Sequence, residues 1–191
     1  MNRREALLAL GGAAILADPL FAASRSLHAR LGSGTALKVL DPHQNDTVVT
    51  IAEMIIPATD TPGATAAKVN EFVDLALSEW LEADERKRFL DGLTELDDRS
   101  RKQFSKDFTT STPEQQKQLL EQVDGEVAGL READRQGIHR EPTLSQNFFR
   151  MMKRVTLLGY FTSEVGVTQE LHNPIIPGRY DGCVLLDQRG K

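Results

Sequence analysis

The sequence predicts an all-α protein, a small bundle of about five helices with an extended Pro/Gly-rich C-terminal tail. Three observations predict it. Apolar residues recur at helical spacing in five separate runs. Two of those runs open on cap signals, Asp41-Pro42 and Thr112-Pro113 with Gln115 at the third helical position. No stretch alternates apolar and polar residues over the length of a strand, so no hairpin competes.

The chain opens on NRREALLALGGAAILADPL (Asn2 to Leu20). Its uncharged part, Ala6 to Ala17, falls short of the roughly 20 apolar residues that span a hydrocarbon core. A basic start, a short apolar run and the small residues Ala22-Ala23-Ser24 stand in the order of a secretory signal. Arg3-Arg4, followed by Leu7-Leu8, resembles the twin-arginine type, by which bacteria export proteins already folded. Ala6 stands where a bulkier residue is usual, and no lysine follows the leucines. No A-x-A triplet marks a cleavage point. Residues 1–25 are therefore read as a signal segment, 26–40 as a flexible linker, and 41–191 as one helical domain.

The first helix enters at Asp41-Pro42, where a missing N–H costs nothing, carries Val48, Ile51, Ala52 and Ile55 on one face, and ends at Pro57. PATDTPGATAA (Pro57 to Ala67) is a loop, with Pro62-Gly63 suited to the centre of a tight turn. Val69, Phe72, Val73, Ala76, Leu77 and Trp80 form the apolar stripe of a second helix. A third, from Asp84 to about Gln103, sets Phe89, Leu93 and Leu96 against a charged face that is expected to be solvated. The fourth begins with a capping box at Thr112 and carries Leu119, Leu120, Val123, Val127 and Leu130. After a polar loop, a fifth runs from about Ser145, with Phe148, Phe149, Met152 and Val155 inside.

Composition excludes some functions. A net charge of -5 offers neither phosphate backbones nor anionic lipid a cationic surface, so nucleic acid is not an expected partner. The single cysteine, Cys183, cannot form an internal disulfide. His28, His43, His139 and His172 are scattered and lack metal-ligand spacing, and there is no C-x-x-C-H or Walker loop. No catalytic, cofactor-binding or metal-binding residue is assigned within this chain. His172 and Cys183 could form a thiol–imidazole pair, but no third group orients them, and the favoured reading is that His172 caps the end of a helix and Cys183 packs against a surface. Asp97, Asp98 and Glu53 read as solvated or capping carboxylates, and Met151-Met152 as core.

Three stretches, IAEMIIPATDTPGA (Ile51 to Ala64), FFRMMKRVTLLGYFTSEVG (Phe148 to Gly166) and PGRYDGC (Pro177 to Cys183), together resemble the gluconate 2-dehydrogenase subunit 3 (gamma, or small subunit) family. The likeness covers roughly residues 43 to 185, and the leader is similar to that of family members. It implies a non-catalytic partner. The large subunit of such complexes is a flavoprotein of the glucose-methanol-choline type that carries FAD, and a multihaem cytochrome c subunit commonly takes the electrons. The small subunit carries the export signal, so the folded, FAD-loaded large subunit crosses through the twin-arginine translocase with it. The expected location is the periplasm, with the complex associated with the inner membrane.

Gly159-Tyr160-Phe161-Thr162-Ser163-Glu164 puts two aromatics and three hydrogen-bonding groups directly after an apolar helix, and aromatic anchors are enriched in interfaces. Tyr160, Phe161, Thr162, Ser163 and Glu164 are thus candidate partner contacts. Closure of the domain's own core also fits the two rings. Pro177, Gly178, Tyr180, Gly182 and Cys183, in a tail that cannot pair as a regular element, are candidates for the same surface. A free-standing periplasmic enzyme using Cys183 and His172, and a transient export chaperone, are the alternatives.

Overall fold

The computed structural model describes residues 37–138 and 143–172. Five α-helices build it: α1 (Pro42–Ile55), α2 (Val69–Glu79), α3 (Ala83–Phe104), α4 (Pro113–Arg135) and α5 (Phe148–Phe161). No strand occurs among the described residues, and no helix there is long and apolar enough to cross a membrane. The all-α reading holds.

Local chemistry starts the helices where the sequence signals it. The Asp41 carboxylate accepts the Gln44 N–H at 2.8 Å while Gln44 returns a bond to the Asp41 N–H, a reciprocal capping box. Thr112 and Gln115 form the same box at α4. Glu82 and Glu85 do so at α3. Elsewhere the structure departs from the pattern. The turn residues after α1 are Ala64–Lys68 rather than Pro62-Gly63. Gly63 is small for another reason: a Cβ there would lie 2.6 Å from the Ala58 amide nitrogen and collide with the Glu53 carboxylate. Ser145 lies in a 3₁₀ turn, Leu144–Gln146, and α5 starts later because the Asn147 side chain captures the Arg150 N–H at 3.0 Å. Helix α4 outruns its last large apolar residue and buries Ala133.

Helix α5 is the axle. It packs against all four other helices, and its inward side chains Phe149, Met152, Val155 and Tyr160 are each at most 3% exposed. Around it Val48 and Ile51 of α1, Phe72 and Val73 of α2, and Phe89 and Leu119 of α3 and α4 are fully buried. Full burial of a side chain of this size contributes roughly 1.5–3 kcal/mol, so this one cluster is where stability resides. Gly92 of α3 and Gly159 of α5 permit close approaches between helices, to Phe148 and Phe72 respectively.

Three carboxylates, two of them buried, tie the loops to this core. Asp74 of α2 accepts three successive backbone N–H groups, from Lys38 (2.7 Å), Val39 (2.9 Å) and Leu40 (2.8 Å), and so fixes the segment that enters α1. Glu53 of α1 accepts the Ala58 and Thr65 amides and the Thr65 hydroxyl. Burial alone would push its pKa up, but those hydrogen bonds outweigh it and hold the carboxyl below its usual range. Asp97 of α3 is buried, not solvated; it accepts the Phe108 N–H at 2.9 Å and pairs with His43 at 2.6 Å. The charged face of α3 is exposed as expected at Asp98, but Arg99 bridges Glu95 in its own helix to Glu126 on α4, both at 2.6 Å.

Candidate functional site

The inward face of α5 is committed to the core, and its outward face carries an unusual sequence of groups. Arg150, Lys153 and Arg154 occupy its first two turns, and Leu157 and Phe161 continue the same stripe at i, i+4 spacing. No acidic residue stands in the first turn. Arg150 has the wrong charge for that turn, because the helix dipole favours carboxylates at the N-terminus by about 0.3–1 kcal/mol each. Lys153 is partly compensated: its ammonium contacts Asp124 of α4 at 2.5 Å and lies 5.1 Å from the centre of the Phe149 ring. For the guanidinium groups of Arg150, and of Arg131 on α4, no carboxylate partner is found among the described residues.

These groups rim a recess of about 700 Å³. Four cations border it: Arg131, Arg150, Lys153 and Arg154. Its apolar lining is Ile55, Leu157, Leu158, Phe161 and Leu171. Leu157, Phe161 and Leu171 are 45%, 39% and 52% exposed, a concentration of bare apolar surface that isolated surface leucines do not show. No carboxylate lines the recess among the described residues. A smaller recess of about 130 Å³ adjoins it, sharing Arg150, Arg154 and Leu158 and extending towards Trp80 and Glu85.

The expected contact residues divide on inspection. Tyr160 and Ser163 do not face outward. Tyr160 is 1% exposed, donates its hydroxyl hydrogen to the Pro62 carbonyl at 2.7 Å and stands edge-on to Phe161 at 5.2 Å. Ser163 is buried, donates to the Tyr160 carbonyl at 2.6 Å and accepts the Gly166 N–H at 3.0 Å. Both close this domain's own core, the Tyr160 ring reaching the α1–α2 loop through its hydroxyl. Phe161 and Glu164 are exposed and Thr162 half-buried, and Phe161 and Thr162 line the recess. Arg3, Arg4, Pro177, Gly178, Tyr180, Gly182 and Cys183 lie outside the described residues, as do His28 and His139. His172 is exposed, in a left-handed backbone conformation (φ 50°), with its ring Nδ1 3.2 Å from the Glu170 carbonyl.

Sequence reasoning singled out none of the four rim cations, nor Leu157 or Leu171. The available signal was the three cations in the first two turns of α5, with Leu157 and Phe161 one and two turns beyond Lys153. Two other features are structural. His43 is held above its ordinary pKa by its hydrogen bond to Asp97, assisted by the negative charges of Asp97, Asp107 and Asp41. No group of three or more histidine, cysteine or acidic residues that could hold a metal occurs among the described residues.

A family model, Gluconate 2-dehydrogenase subunit 3, matches residues 42–178, from the first residue of α1 to beyond Leu171. No curated protein matches the chain, and no solved structure does.

Proposed function

The chain belongs to the gluconate 2-dehydrogenase subunit 3 family, and so to a multi-subunit dehydrogenase; from that premise we propose that it escorts and stabilises a flavin-dependent catalytic subunit without itself turning over substrate. The catalytic subunit is of the glucose-methanol-choline type and holds FAD. A multihaem cytochrome c accepts its electrons. The twin-arginine translocase reads Arg3 and Arg4 and admits the pair, and the complex works in the periplasm at the inner membrane. A flavoprotein must fold around FAD before export, which only a route for folded proteins allows.

The observation that carries this reading is the family match across the whole helical body; a leader that resembles the twin-arginine type in the same chain supports it. Phe161, Thr162 and Glu164, with Pro177, Gly178, Tyr180, Gly182 and Cys183 of the tail, are the proposed contacts.

The test is co-expression of the full chain with the flavoprotein of its complex, comparing the native leader with an Arg3→Lys/Arg4→Lys leader. The native leader should bring flavin-containing polypeptide into the periplasm in about equal amount to this chain. The lysine leader should leave both in the cytoplasm. Export of the flavoprotein irrespective of the leader, or substrate oxidation by this chain alone, overturns the reading.

A further inference from the structure

We propose that the recess along α5 receives an acidic segment of the partner subunit that also presents apolar side chains; the inference rests on the reading of this chain as a subunit bound to a catalytic polypeptide. Charge carries it first. In a chain of net charge -5, four cations gather around one recess with no carboxylate among its described lining residues. One of them, Arg150, sits in the first turn of α5, where the dipole disfavours a cation. The carboxylates of an acidic occupant would meet these guanidinium and ammonium groups directly. Arg131 and Arg150, which find no carboxylate among the described residues, are the groups such an occupant would pair with.

Apolar surface carries it second. Leu157, Phe161 and Leu171 are exposed, while Ile55 and Leu158 lie half-buried at the floor. The recess therefore offers an indentation with a greasy base and a charged edge, the arrangement in which one apolar anchor is enclosed and flanking charges fix its orientation. The adjoining hollow beside Trp80 prolongs it through the shared Arg150, Arg154 and Leu158. The length suits a segment rather than a single side chain.

Other occupants fit less well. The chain beyond residue 172 holds three cationic side chains (Arg179, Arg189 and Lys191) against two acidic ones (Asp181 and Asp187), so it does not complement four cations. An anionic bilayer offers the charge, but a flat surface needs a protruding apolar face, and here part of the apolar lining is recessed.

The test compares wild-type full chain with two variants, Arg131→Glu/Arg150→Glu and Leu157→Ser/Phe161→Ser, each combined with the flavoprotein subunit of its complex. Helix content by circular dichroism should not change. The dissociation constant should rise at least tenfold for either variant. Wild-type association should weaken with added salt, and the charge-reversed variant should lose that dependence. Binding by both variants within twofold of wild type overturns the docking site while leaving the subunit reading intact. Failure of the wild-type chain to bind the flavoprotein removes both. The same variants are measured on phosphatidylglycerol vesicles and by sedimentation of the chain alone. Loss of vesicle binding or of self-association, with the complex unaffected, assigns the recess to lipid or to a second copy and overturns the proposal.

Discussion

The phenolic hydroxyl of Tyr160 donates to the carbonyl oxygen of Pro62 at 2.7 Å, across 98 residues of chain. This bond joins the end of α5 to the loop that follows α1, two of the three stretches whose sequences carry the family likeness. It also explains why both are particular in composition: the loop must turn its carbonyl inward, and the helix must end on a ring with a polar tip. Replacing Tyr160 with Phe removes the donor and little else. Stability should fall by about 1 kcal/mol, read as a lower denaturant midpoint with unchanged slope.

Glycine-to-alanine changes should act with opposite signs at two places. At Gly92, fully packed on α3, a Cβ would come 2.5 Å from Phe148 Cβ. Overpacking of this kind is worth roughly 1–3 kcal/mol of destabilisation, more than the helix-propensity gain. At Gly125 and Gly129 of α4 nothing lies within 4 Å. There the same change should stabilise by about 0.5–1 kcal/mol per site. Thermal unfolding of the three single variants measures both signs.

The pairing of His43 with Asp97 makes stability depend on pH. Because the folded-state pKa of His43 lies above the ordinary 6.5, its contribution is fully present below that value. It is lost as pH rises through the raised folded pKa. The histidine side chain is 44% exposed, so the effect is modest. Unfolding at a series of pH values from 5.5 upward should show a decline that His43→Gln flattens. An identical profile in the variant would assign the dependence to another group.

The Asp74 carboxylate is the sole described acceptor for the Lys38, Val39 and Leu40 amides, and it is 3% exposed. Asp74→Ala should destabilise by about 3 kcal/mol, and Asp74→Asn, which keeps one oxygen, by less. Trypsin should cut after Lys38 much faster in the alanine variant than in wild type. Mass analysis of the first fragments reads this directly.

What the residues revealed in advance is what depends on near neighbours. Asp41-Pro42 and Thr112-Pro113 started their helices as expected, because a cap is a contact between residues three apart. The apolar rows of α1 to α4 reached the core for the same reason, except Leu130 of α4, which is half-buried outside it. What depends on distant partners was hidden. Asp97 reads like Asp98 in sequence, but only Asp97 faces His43 and Phe108. Helix α2 starts after Lys68 in a left-handed conformation with no side-chain cap, so nothing local marks its beginning. Tyr160 and Phe161 are adjacent aromatics, and only the direction of the last turn of α5 decides that one is buried and the other bare. The recess combines α4, α5 and the segment after it, and no single stretch spells it out.

The grip of Asp74 on the three amides before α1 has a mechanical consequence. Any pull transmitted along the chain from residues preceding 37 meets these three bonds before it reaches a helix. A traction machine working on that end would drag the bundle as a single piece, with its axle and its recess still assembled.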